Sequence, residues 1–307
     1  DIDKIVEVDV SYGVKRIGHS AFKDFGTAGT EVTFNLPSSL VSIADYAFFS
    51  CPTLKNITIP ASVETIGAAC FRSCPALESV TFEGGSKLTS IAQNAFGECP
   101  TLKNVTIPAS VKTIGIECFA WCSALESVTF EKGSILTTIG NKLFYKCSAL
   151  KSIIIPASVG TIGEYCFYYC TALESVTFEE GSKLTSIGNY AFSYCNRGLK
   201  SIIIPASVAT IGQSCFSYCY ALESVTFEKS SKFEKGSKLT TIGGSAFHSC
   251  EALKSITIPA SVGTIGEYSF ACCEALESVT YENDIILTAI AEGAFNGCSA
   301  LQSITIP

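Results

Sequence analysis

Four cysteine pairs at i, i+4 spacing are the residues whose type and position most invite chemistry: Cys70/Cys74, Cys118/Cys122, Cys166/Cys170 and Cys215/Cys219. Thiols so placed could bind zinc, form disulfides or act as nucleophiles. Zinc needs further ligands, and none stands at the usual spacing. The chain has two histidines, His19 and His248, in unmatched positions far apart in sequence. There is no phosphate-binding glycine loop, nucleophile elbow or metal triad. The glutamates recur at fixed intervals, as charge-pattern residues do. The reading is therefore of a chain that is not an enzyme, with no catalytic residue, no metal and no cofactor.

The elements around these cysteines repeat. An Ile with a Phe five residues later occurs twelve times, from Ile17/Phe22 to Ile290/Phe295, and in eleven cases a Cys follows the Phe by three. A fixed period of this length signals a solenoid. The 307 residues are read as one repeat array. Residues 1–30 form an irregular first coil, in which Phe25 stands where later coils have Cys. Residues 31–307 form about eleven regular repeats alternating between 23 and 25 residues. One repeat type opens with Pro-Ala-Ser-Val, as at Pro60 and Pro108, and the other with Glu and a Gly/Ser/Lys turn, as at Glu83. The pair makes a 48-residue super-repeat. The insertion at 230–238 predicts a protruding loop.

Composition excludes several functions. A formal charge of −7 and a pI near 5 give no basic footprint for nucleic acid. No apolar run approaches the ~18 residues of a membrane span, so no membrane insertion is expected. The absence of an initiating Met and the ending inside the repeat pattern suggest a mature or trimmed chain whose natural protein continues.

Each coil predicts one strand with alternating burial. Leu77, Val80 and Phe82 face the core while Ser79 and Thr81 face outward, a register that runs on to Leu301/Ile304/Ile306. The Ile-Gly-x-x-x-Phe segment predicts a short helical or 3₁₀ turn on the opposite side. The core columns include Phe71, Phe96, Phe119, Phe144, Phe167, Phe192 and Phe216, with Cys74, Cys122 and Cys170 beside them. The cysteines are read as buried thiols, although the spacing of adjacent coils also allows disulfides. Lys55, Glu78, Lys103 and Glu126 begin a column of alternating charge that favours one register. Asn56 and Asn104 lie in sequons that are read as repeat coincidences. The outward columns supply the candidate binding surface: Ser79, Thr81, Ser127, Thr129, Ser152, Ser175, Thr177, Ser201, Ser224 and Thr226. Ile154 and Ile203 interrupt the Thr column, which weakens an ice-binding reading. Tyrosines gather around Tyr165–Tyr220 near Trp121 and Tyr145, as packing between coil edges or as a lateral patch for a protein or glycan.

The stretch Leu54-Lys55-Asn56-Ile57-Thr58-Ile59-Pro60-Ala61-Ser62-Val63-Glu64-Thr65-Ile66-Gly67-Ala68-Ala69-Cys70-Phe71-Arg72-Ser73-Cys74 resembles the BspA-like leucine-rich repeat, and twelve matches carry the resemblance over essentially the whole chain. Cys70, Cys118, Cys166 and Cys215 depart from the Ala that the family often places before the Phe. The resemblance implies a curved, β-rich repeat solenoid. Its parallel sheet would line the concave face, with short strands, 3₁₀ turns or loops on the convex face. It also implies a secreted or cell-surface adhesion protein. The functional expectation is a binding module for a host or matrix protein, or a glycan. The alternative is a structural spacer or surface-coat rod. End-to-end self-association through the last strand, Ser303–Ile306, is a further expectation, since an exposed strand edge invites pairing.

Overall fold

The computed structural model describes residues 4–27, 30–230 and 236–306, in two compact units, Asp1–Leu150 and Lys151–Pro307. Each is a parallel β-solenoid with no helix among the described residues. A coil consists of a four-residue strand, a turn, a two-residue strand ending in the repeat Ile, and a run of turns carrying Phe and Cys. Four alternating residues bury two side chains and leave two outside. In Asn56–Ile59, Ile57 and Ile59 are buried while Asn56 and Thr58 are exposed.

In the first unit, Lys4–Asp9 pairs in parallel with Thr30–Asn35. The later long strands are Asn56–Ile59, Ser79–Phe82, Asn104–Ile107 and Ser127–Phe130. In the second unit they are Ser152–Ile155, Ser175–Phe178, Ser201–Ile204, Ser224–Phe227, Ser255–Ile258 and Ser278–Tyr281. Two-residue strands such as Thr65–Ile66 and Ser90–Ile91 form a second parallel sheet in each unit. The Phe column closes the core between the sheets. Phe48 and Phe71 stack at 4.9 Å, Phe71 and Phe96 at 5.3 Å, and Phe192 and Phe216 at 5.2 Å, with planes within 5° of parallel. In the first coil Phe22 continues the stack onto Phe48 at 5.3 Å, and Phe25 and Phe34 meet it edge-on.

Three expectations need correction. The segment after the repeat Ile is neither helical nor 3₁₀. The residues three and seven places after the Ile are left-handed, as at Ala69 (φ +49°) and Ser73 (φ +58°), or Tyr165 (+54°) and Tyr169 (+62°). Helical turns require negative φ throughout. Alternate amides here pair with the next coil, as Ala69 N donates to Gln93 O, Phe71 N to Ala95 O and Ser73 N to Gly97 O. Second, Phe82, Phe130, Phe178, Phe227 and Tyr281 are half-buried, whereas Ile59, Ile107, Ile155, Ile204 and Ile258 are buried. Third, Ser303–Ile306 is not a strand: among the described residues no ladder joins it to Ser278–Tyr281. Strand structure needs those inter-coil bonds, and the alternation of apolar residues alone does not supply them. Of the loop expected at 230–238, residues 231–235 lie outside the described residues.

The last two corrections share a pattern. A Pro-type strand and the Glu-type strand after it pair over all four residues, as in Ser152–Ile155 with Ser175–Phe178. The junction from a Glu-type strand to the next Pro-type strand is weaker. Ser79–Phe82 meets Asn104–Ile107 only at Ser79↔Asn104 and Val80↔Val105, and Ser224–Phe227 meets Ser255–Ile258 only at Ser224↔Ser255. The Glu-type turn is two residues longer than the Pro-type turn, nine against seven from strand end to repeat Ile (Phe82 to Ile91, Ile59 to Ile66). It draws the strand's C-terminal end away from its neighbour. Each long sheet is thus a series of two-strand doublets.

Candidate functional site

The hydroxyl columns stand on the outer face of these doublets. Thr81, Thr129, Ser152, Ser175, Thr177, Ser201, Ser224 and Thr226 are exposed, and Ser79 and Ser127 are half-buried. In the first unit Ser79 Oγ donates to Asn56 Oδ1 and Ser127 Oγ to Asn104 Oδ1, both at 2.6 Å. The two sequon asparagines therefore engage the neighbouring serines. In the second unit the hydroxyls of Ser175, Thr177, Ser201, Ser224 and Thr226 make no such bond among the described residues. They are available to a ligand.

One junction in the second unit is open along its whole length. Ser175–Phe178 and Ser201–Ile204 lie in separate sheets with no ladder between them. The connection Cys195-Asn196-Arg197-Gly198-Leu199 has one residue more between Cys and Leu than any other coil. An added residue disrupts a ladder locally. Gly198 passes so near the preceding coil that a Cβ would stand 2.8 Å from Leu173 O. The insertion separates the strands at their N-terminal ends and the long turn at their C-terminal ends. The result is a fissure of about 240 Å³ whose rim carries Glu174, Ser175, Thr177, Ser201, Ile203 and Glu228. In the sequence Ser175, Thr177 and Ser201 stand as separate members of two columns. The opening that joins them has one sequence signal, the four-residue Cys195–Leu199 step.

The charge column spans these weak junctions. Lys55 Nζ lies 3.0 Å from Glu31, Lys103 3.6 Å from Glu78, and Lys254 3.4 Å from Glu223. No ion pair among the described residues joins Glu174 to Lys200 across the fissure. Exposed pairs of this kind contribute at most about 1 kcal/mol, so they align coils more than they stabilise them. The turn glutamates act locally: Glu83 accepts from Ala61 N, Glu131 from Ala109 N and Glu179 from Ala157 N, each at about 3 Å. Ile154 and Ile203 are more than half exposed on the same face.

All sixteen cysteines are free thiols, buried in the core except for the half-buried Cys272 and Cys298. Cys74 donates to Phe48 O, Cys99 to Phe71 O and Cys122 to Phe96 O, each at 3.1 Å. Cys195 does the same to Phe167 O and Cys219 to Phe192 O at 3.2 Å. Burial pushes the Cys99 and Cys219 thiols up to about 12, and burial with neighbouring thiols raises Cys122 well above the ordinary value. Cys51 is the exception, lowered first by a hydrogen bond with the Cys74 side chain. No group of three metal-ligating side chains stands together among the described residues. The i, i+4 thiol pairs are brought to no third ligand.

A family profile described as the BspA type leucine rich repeat region matches in six copies, over residues 2–126, 137–237 and 223–307. The chain belongs to the BspA-type leucine-rich repeat family. Among solved structures, this BspA-type chain is similar to a leucine-rich repeat protein from Bacteroides ovatus, with 33% identity over 99% of this chain and 75% of the other and a TM-score of 0.80. A leucine rich cell surface protein from Faecalibacterium prausnitzii matches at 28% identity over 97% of this chain and 86% of the other, with a TM-score of 0.54. The pneumococcal vaccine antigen PcpA, at 23% identity over 98% of this chain and 82% of the other and a TM-score of 0.58, shares the fold. No curated protein gives a significant match.

Proposed function

We propose that this BspA-type chain is a non-enzymatic binding module of a secreted or cell-surface protein, contacting a protein or glycan through the hydroxyl face of its long strands. The observation that carries the reading is the fissure between Ser175–Phe178 and Ser201–Ile204. There unbonded hydroxyls stand beside the half-exposed Ile203, giving polar and apolar contacts on one rim. Extended faces of repeat proteins serve as contact surfaces. The similarity to a protein described as a cell-surface protein supports the location. The test is capture from a panel of extracellular-matrix proteins and host glycans, repeated with a Thr177→Arg/Ile203→Arg double variant. Binding by the parent and loss in the variant supports the reading.

A spacer or surface-coat rod is the second reading. The uniformity of the Ser and Thr columns favours it, because a specific ligand needs local difference and the columns supply little. Absence of any captured partner, together with concentration-dependent self-association in sedimentation, would favour the rod.

A further inference from the structure

A second feature of the Lys151–Pro307 unit stands apart from the hydroxyl face. The turn run after each repeat Ile presents side chains in columns, because each coil pairs in register with the next: Tyr165 N donates to Asn189 O, Tyr190 N to Gln213 O and Ser214 N to Gly244 O. The position one after the core Phe reads Tyr168, Ser193, Ser217, His248 through four consecutive coils. Two small residues thus stand between two large ones. The left-handed positions on either side hold Tyr165 and Tyr190, and Tyr194 and Tyr218. The outcome is a depression of about 400 Å³ with a serine floor and aromatic walls. That volume falls in the range of about 300–1,000 Å³ typical of small-ligand sites.

The walls are built. Tyr165 and Tyr190 stack at 4.7 Å, and Tyr194 and Tyr218 at 4.5 Å. Tyr168 meets Tyr194 edge-on at 5.5 Å, and Tyr218 meets His248 edge-on at 5.4 Å. Rings braced in this way lose little freedom on binding. In the floor, Ser217 Oγ donates to Ser214 O at 3.0 Å, which leaves the Ser193 hydroxyl as donor in the 2.9 Å Ser193–Ser217 bond. His248 Nδ1 is buried and has no hydrogen-bond partner among the described residues. That nitrogen is closed to a water-sized group and so to a ligand hydroxyl; the ring takes part in the wall through its edge-on contact with Tyr218. The corresponding column in the first unit also has small residues, Gly97 and Ala120. Its neighbours there include the ion-paired Arg72 and Glu98, so the tyrosine setting does not recur.

We infer that this depression binds a neutral carbohydrate. Its tyrosine walls offer ring surfaces for the C–H faces of a pyranose and phenol hydroxyls for its O–H groups, over a floor closed by the buried Ser193 and Ser217, which suits an amphipathic ligand. No Asp, Glu, Lys or Arg lines it, so nothing there compensates a charged sugar. The site differs from the hydroxyl face and stands or falls independently of it.

Isothermal titration with cellotetraose, mannotetraose and lacto-N-tetraose as neutral probes, and sialyllactose as a charged one, tests the inference. At least one neutral probe binds at millimolar concentration or below, more tightly than sialyllactose. His248→Ala weakens that binding a few-fold, because Tyr218 loses its edge-on support. Tyr194→Gly/Tyr218→Gly abolishes it, and since both positions are left-handed the glycines suit the backbone. Tyr12→Ser, an exposed tyrosine in the first unit, leaves it unchanged. The inference is overturned if no neutral probe binds, if binding survives the double glycine variant in a folded protein, or if these tyrosines capture a protein and no saccharide.

Discussion

The Cys74 thiol donates a 3.1 Å hydrogen bond to the Phe48 carbonyl of the coil before it, and the same contact recurs wherever Cys follows the core Phe by three in the described bonds. The thiol fills space as a small apolar group and gives the carbonyl a weak donor from the neighbouring coil. A core thiol held this way is protonated and shielded.

The first prediction concerns its reactivity. In the folded protein an aromatic disulfide reagent at pH 8 should modify few thiols, the partly exposed Cys272 and Cys298 before the others; after denaturation all sixteen should react. The pH dependence follows by linkage. Cys99 and Cys219 have folded values of about 12 against an ordinary 9.0. Above the unfolded value the unfolded chain holds fewer protons than the folded one. Their contribution is therefore whole below about pH 9 and is lost as pH rises towards 12. Urea midpoints that rise between pH 9 and 11 would contradict this.

The second prediction concerns the Phe column. Phe192 is fully buried between Phe167 and Phe216, at 5.0 and 5.2 Å. Phe192→Ala should cost roughly 3–5 kcal/mol. Because a coil contacts only its neighbours, hydrogen exchange should lose protection at Ser186–Ile187 and in the adjoining coils, while Ser255–Ile258 keeps its protection. Uniform loss across the unit would show a cooperative core.

The third concerns backbone strain. Ala69 is held at φ +49°, where a Cβ costs about 1–2 kcal/mol. The coil after Ile290 already has Gly293 and Gly297 at its two left-handed positions. Ala69→Gly should raise the urea midpoint by about 1 kcal/mol of stability, and a fall would mean that the buried methyl matters more.

The fourth concerns the fissure. Deleting Arg197 restores the usual Cys-to-Leu spacing. Amides of Ser201–Ile204 should then gain exchange protection against Ser175–Phe178, and ligand capture through the hydroxyl face should fall. Unchanged protection would place the cause in the long turn after Phe178 alone.

The period of Ile, Phe and Cys made the parallel coils, the stacked phenylalanines and the outward Ser175 and Thr177 legible in the sequence, because each repeats at one spacing. The left-handed turns were not legible. Outside the last coil, with Gly293 and Gly297, their occupants, among them Tyr165, Glu117 and Lys142, carry no glycine signal; inter-coil hydrogen bonds impose the conformation. The half-burial of Phe178 was also hidden. It depends on how the next strand is displaced, and alternation within one strand is blind to that. The Tyr168-Ser193-Ser217-His248 column was written in the sequence, but a depression becomes visible only once the register sets four coils side by side.

Pairing in doublets has a mechanical consequence. Within each unit the fully laddered pair resists shear and the half-laddered junction yields first. A chain stretched from its ends should lengthen in steps of two coils, each releasing 48 residues between Pro60 and Pro156. At roughly 3.6 Å per extended residue that step is about 170 Å of chain. The same doublet is the length by which the array can grow or shrink without leaving a Pro-type strand facing another of its own kind.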